Sequence, residues 1–139
     1  MISVLASGKG EGKTKKLIEM ANNDVKSAAG TVVFVDDDSR HIYDLHYDVR
    51  FIETADFPIK DRSELTGFVC GILAQDRDIE KFYIDGLTNI LKKITVDDYE
   101  DLATKLEKIS TKHEVDFIIG MNHKADELPD VLRQYVVEA

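Results

Sequence analysis

Residues 7–14 read Ser7-Gly8-Lys9-Gly10-Glu11-Gly12-Lys13-Thr14, a glycine-rich stretch closed by a lysine and a hydroxyl side chain. Those residue types in that order suit the handling of phosphate. The backbone N–H groups of such a loop, with the positive end of a following helix, converge on an anion. Lys13 then brings a point charge to the β- and γ-phosphates, and the Thr14 hydroxyl is a ligand for Mg²⁺. Glycines at 8, 10 and 12 allow φ > 0 and a close approach of backbone to ligand. The common spacing is glycine, four residues, then Gly-Lys-Ser/Thr. Counting back from Gly12 puts Ser7 where the first glycine belongs, so the match is near and not complete. The bland alternative is a flexible turn that happens to carry lysines.

Context weighs against that alternative, because a phosphate loop works only between a strand and a helix. Residues 2–6 (ISVLA) form an apolar run of strand length, and Leu17, Ile18, Ala21, Val25 and Ala28 recur with helical spacing after the loop, with Gly30 as a stop. Residues 31–36 (TVVFVD) read as a strand buried on both faces, 49–53 (VRFIE) as a weaker, edge-like strand, and 81–85 (KFYID) and 115–120 (VDFIIG) as two more. Leu65, Phe68, Val69, Ile72 and Leu73 mark a core-facing helix, and the single cysteine, Cys70, falls inside it and is expected to be a buried, inert thiol. Leu87, Ile90, Leu91 and Ile94 predict a short helix. Tyr99, Leu102, Ala103, Leu106 and Ile109 predict a longer one capped by Thr95 or Asp97, and residues 129–134 a last helix before a final strand near 135–137. Strands alternating with helices imply an α/β fold of three layers, α/β/α, around a mainly parallel sheet of five or six strands in one domain of 139 residues.

Ligands in such sheets sit at the carboxyl ends of the strands. Ser7, Asp36, Asp85 and Asn122 all fall there. Asp85 closes the run Phe82-Tyr83-Ile84-Asp85 and is the natural carboxylate to face Mg²⁺ together with Thr14, unless it merely caps the helix starting near Leu87. A group that activates water usually follows such an aspartate, but Gly86 stands there. Asp36 is the better substitute among Asp36, Asp37 and Asp38 because it ends its strand, and it reaches Asp85 only if the two strands are neighbours. Lys13, Asp36 and Asp85 are therefore the candidate catalytic residues. Arg40, Arg62 and Arg133 could lend positive charge but read more simply as surface residues.

Charge and composition narrow the partners. With 27 acidic against 18 basic residues the formal charge is −9, which disfavours nucleic acid or an anionic membrane as main partner. Lys9, Lys13, Lys15 and Lys16 concentrate positive charge at the loop, as a small anionic ligand would want. One cysteine excludes an internal disulfide, no basic leader opens the chain, and no apolar run reaches membrane-spanning length, so a cytoplasmic protein is expected. The four histidines have no convincing metal spacing.

On residues 7–14 and 82–85 the chain resembles the P-loop NTPases over nearly its whole length. The strand expected between loop and Asp85, and Asn122 beyond the following strand, are similar to the RecA and thymidine-kinase branch. The chain also looks like small stand-alone bacterial ATP-binding proteins loosely grouped with twitching-motility (pilus-retraction) ATPases. True retraction motors are much larger and carry further acidic and histidine boxes, so motor function is not implied. The resemblance implies binding of a nucleoside triphosphate with Mg²⁺ through Ser7, Gly8, Lys9, Gly10, Glu11, Gly12, Lys13 and Thr14, with Asn122 placed to sense the γ-phosphate. Slow or partner-dependent hydrolysis is the leading expectation. A small-molecule kinase is an alternative, weakened by the lack of any arginine in residues 87–112, where a lid would be. A degenerate, non-catalytic binding module is another. Asn122-His123-Lys124-Ala125-Asp126 is similar to the guanine-reading Asn-Lys-x-Asp motif with one residue too many, which leaves ATP ahead of GTP.

Overall fold

The computed structural model describes residues 1–8, 10 and 12–137. Six strands form one sheet: β1 (Ile2–Ala6), β2 (Thr31–Asp36), β3 (Arg50–Glu53), β4 (Ile79–Ile84), β5 (Asp116–Met121) and β6 (Val136–Val137). Their order across the sheet is β3-β2-β4-β5-β1-β6, and each of these pairings is parallel. The central strands are continuous runs of Val, Ile and Phe because both of their faces are covered. Val33, Val35, Phe82, Ile84, Phe117 and Ile119 point into one core, while Val32, Phe34, Tyr83 and Ile118 point into the other.

The two cores are unequal. On the first face α2 (Arg62–Gln75), α3 (Leu87–Ile90), α4 (Val96–His113) and α5 (Asp130–Arg133) pack against the strands. On the second, α1 (Lys13–Ser27) is the principal cover, through Leu17, Ile18 and Ala21, with Leu45 and Val49 beside it. The arrangement is helices, sheet, helix. Each long helix on the first face starts on a side-chain cap. Asp61 accepts from the Glu64 N–H, and Thr95 and Asp98 form a reciprocal capping box. No helix among the described residues is long and apolar enough to cross a membrane.

Most expected elements occur within a residue or two of their predicted bounds, and the expected edge strand is β3 at one margin of the sheet. Two expectations need correction. Cys70 is exposed. The buried stripe of α2 is Leu65, Val69 and Leu73, and one residue past Val69 turns the side chain about 100° away from it. The short helix expected through Ile94 ends at Ile90 after a single turn. At the loop, φ is positive at Gly10 and Gly12, as expected for glycines that let the backbone approach a ligand.

Candidate functional site

The sheet order decides what meets at its carboxyl edge. Val35 pairs with Ile84, Ile84 with Ile119, and Val4 with Ile119. One step further along each strand, Asp36, Asp85 and Gly120 lie side by side on neighbouring strands. One strand over, Ala6 pairs with Met121, so Ser7 and Asn122 leave the sheet together, and the Ser7 N–H donates to the Met121 carbonyl at 3.3 Å. Ser7 has no positive φ, which is why a serine is tolerated at this turn.

α1 begins directly over this edge. Its N-cap is Gly12 at φ 81°, no side-chain hydrogen bond caps it, and its first turn holds no acidic residue. The first N–H groups of a helix lack intrahelical partners, and the glycine at this N-cap has no side chain to offer them. Lys13 is only 7% exposed despite its charge, and its Nζ donates to Asn122 Oδ1. Asn122 Nδ2 in turn donates to Thr88 Oγ1 at 3.0 Å. The Thr14 hydroxyl donates to Asp85 Oδ2 at 2.7 Å. A cleft of about 330 Å³ is lined by Gly10, Gly12, Lys13, Thr14, Asp36 and Asp85, with Arg40, His41, Asn89 and Asn122 around it. The Ser7 Oγ atom, at the start of the loop, is buried without a hydrogen-bond partner.

Two acids sit at the floor of this cleft, Asp36 and Asp85, each 4% exposed. The Asp36 carboxyl is pushed up to about 8, first by burial, then by its hydrogen bonding with Asp37 and by the charge of Asp85. The Asp37 N–H donates to Asp36 Oδ1 at 2.7 Å, and the Asp85 N–H to the Val35 carbonyl at 2.9 Å, so both carboxyls stand on fixed backbone. Asp85 does not cap α3; Gly86 is the N-cap, in the left-handed conformation and without a side-chain cap.

Of the residues singled out in the sequence, Lys13, Thr14, Asp36, Asp85, Gly10, Gly12 and Asn122 converge on one cleft. Lys9 and Glu11 lie outside the described residues. Arg62 is drawn away to Asp98 and Asp101, at 2.7 Å from each, and Arg133 pairs with Asp130, while Arg40 stays at the cleft in a surface pair with Asp38. The sequence does not single out Gly120. A Cβ there would stand 2.9 Å from Leu17 Cδ1, 3.0 Å from Asp85 Oδ1 and 3.4 Å from Lys13 Cδ. Its signal was present, since glycine inside a buried strand marks a close approach. Thr88 and Asn89 carried no signal that chemistry could read. No protein-family model and no curated protein matches the chain, so residues and geometry carry the functional reading.

Proposed function

We propose that the chain binds a nucleoside triphosphate with Mg²⁺, ATP in preference to GTP, as a P-loop protein that hydrolyses it slowly or under the control of a protein partner. One observation carries this reading: at the uncapped start of α1, Thr14 already touches Asp85 while Lys13 stands beside it on Asn122. A helix that begins with Lys13-Thr14-Lys15-Lys16 and no acidic residue works against its own dipole, and an anion at that end removes the conflict. The strand order, with β5 between the loop strand and the Asp85 strand, brings Asn122 at the end of β5 to Lys13, which supports its part in the same site.

The donor set fits Mg²⁺. Thr14 and Asp85 offer only hard oxygen atoms, and among the described residues no group of three or more His, Cys, Asp or Glu could hold a metal unaided. An ion held by two protein oxygens and shared with phosphate is how Mg²⁺ is commonly bound, and it supplies neutralisation of phosphate charge. Lys13 adds its own charge from a buried position, and the unpaired Ser7 Oγ is one more polar atom in want of a partner. Asp36, on the strand next to Asp85, is the candidate to accept a proton from water, but its pKa of about 8 leaves it largely protonated near neutral pH. With no carboxylate at position 86, that single acid supports slow turnover. ATP is favoured over GTP because the guanine-like stretch has one residue too many and its Asn122 is engaged by Lys13 and Thr88.

Calorimetric titration with ATP and GTP, with and without Mg²⁺, tests the proposal. Lys13→Ala removes a charge-assisted contact and is expected to weaken Mg·ATP binding by about thirtyfold or more. Lys15→Ala, on the exposed side of the same turn, is expected to change it little. No binding of either nucleotide at millimolar concentration, or an equal loss in both variants, overturns the reading.

A further inference from the structure

A second and larger concavity adjoins the cleft. It encloses about 910 Å³ at the carboxyl ends of β2, β3 and β4, and Asp37, Arg40 and Asn89 line both spaces. Its apolar wall is Ala55, Phe57, Ile59 and Ile90. Phe57 is held by Phe68 of α2 with ring centroids 5.2 Å apart, yet remains 48% exposed, so a large apolar face is left open to the groove. Its polar wall is mainly basic: Lys60, Lys92 and Lys93 line it along with Arg40, and the three lysines have no carboxylate partner among the described residues. In a chain of net charge −9 with 27 acidic residues, three lysines left without a carboxylate around one concavity is a local reversal of sign. The acids that do line it, Asp37 and Asp38, lie on the side shared with or next to the cleft, and Asp38 is taken by Arg40 at 2.9 Å.

A volume of this order, partly apolar with a few convergent charges, is that of a small-molecule site rather than a flat protein interface. We infer that this groove binds a second ligand, a small organic anion with an aromatic or aliphatic body, whose body lies on Phe57 and Ile59 and whose charged group meets Lys60, Lys92 and Lys93. The shared wall of Asp37, Arg40 and Asn89 places that ligand against the polyphosphate cleft. The ligand's function as a companion to nucleotide rests on the proposed function, but its binding does not. It therefore stands or falls separately.

Phenyl phosphate is the probe, with phenol as its uncharged counterpart and inorganic phosphate as the charged group without the aromatic body. Amide chemical-shift titration of the full chain is expected to give saturable binding of phenyl phosphate, with shifts at Ala55, Phe57, Asn89 and Lys92. Each partial probe is expected to bind about tenfold more weakly or worse. Lys92→Glu/Lys93→Glu is expected to weaken phenyl phosphate by about tenfold or more, and the charge-matched Lys108→Glu/Lys112→Glu, on exposed positions of α4, to leave it unchanged within about twofold. Lys13→Ala is expected to weaken ATP binding by about thirtyfold or more and to spare phenyl phosphate. Loss of both in Lys13→Ala, shifts confined to the loop cleft, no saturation by about 10 mM, or equal weakening in the two charge-matched doubles overturns the inference. Binding of phenyl phosphate in the groove by a protein that ignores ATP sinks the nucleotide reading and leaves the groove intact.

Discussion

At Gly86 the backbone takes φ 68°, and a Cβ there would lie 2.2 Å from Asp37 Oδ1 and 2.8 Å from Asp36 Oδ1. This explains why no carboxylate follows Asp85 directly: the space is already filled by carboxyl groups arriving from β2. Gly86→Ala must both hold an L-residue in left-handed backbone and displace the Asp37 carboxyl. It is expected to destabilise the fold by about 1–2 kcal/mol, read as a shift in urea midpoint at unchanged slope. A midpoint unchanged from the parent protein would mean the left-handed turn relaxes freely. At this scale the sequence was informative wherever the chemistry was rare. Lys13, Thr14 and Asp85 were singled out by a lysine-threonine pair after glycines and by an aspartate at the end of a buried strand, and the structure brings the three to one cleft. Gly120 is not singled out by the sequence, because glycine is used for several unrelated reasons and only the surrounding atoms say which one applies.

Among the elements, α1 differs from α2 and α4 at its start. The latter two are capped by Asp61 and Thr95 and carry acids in their first turns, whereas α1 has neither feature. A cap stabilises a helix end by about 1 kcal/mol, so a long helix that forgoes one leaves its N–H groups for something else. Thr95→Ala removes one half of the α4 capping box and is expected to lower stability by about 1 kcal/mol while leaving nucleotide affinity unchanged, since α4 lies on the opposite face of the sheet from α1. Parallel thermal melts with and without Mg·ATP check both halves; a loss of affinity in this variant would mean the two faces are coupled. Helix and strand existence was readable from periodicity, because burying one stripe or both faces dictates the pattern. Cys70 shows the limit of that reading. A stripe defined loosely as i, i+3, i+4 includes neighbours that the packed helix turns outward.

For the whole molecule, the charge of −9 and the buried acid pair make stability depend on pH in a definite direction. Asp36 ionises near 3.8 in the unfolded chain and near 8 in the folded one, mainly because burial disfavours its charged form. Between those values the folded state keeps a proton that the unfolded state has released, so this group's contribution falls as pH rises from about 4 to about 8 and is constant above. Asp38, Asp98, Asp101 and Asp116 are shifted the other way, below 3.8, and act outside that window. In metal-free protein Asp36→Asn is therefore expected to gain stability relative to the parent on moving from pH 5 to pH 8. Urea midpoints of both proteins at the two pH values check this, and parallel pH dependences would refute it.

What the sequence by itself determined were the local terms: a parallel α/β alternation, a strand that enters a glycine loop, a helix that leaves it with lysines, and an aspartate at a later strand end. These follow from backbone sterics and burial over a few residues, and so are written in contiguous stretches. What only the tertiary structure decided was adjacency. That β2 lies beside β4, bringing Asp36 to Asp85, and that β5 threads between β4 and β1, bringing Asn122 to Lys13, depends on strand order. The groove beside the cleft likewise joins residues from three separate loops. Strand order is set by how whole faces of helices and sheet bury against one another, a sum over contacts far apart in the chain. No short spacing encodes that sum.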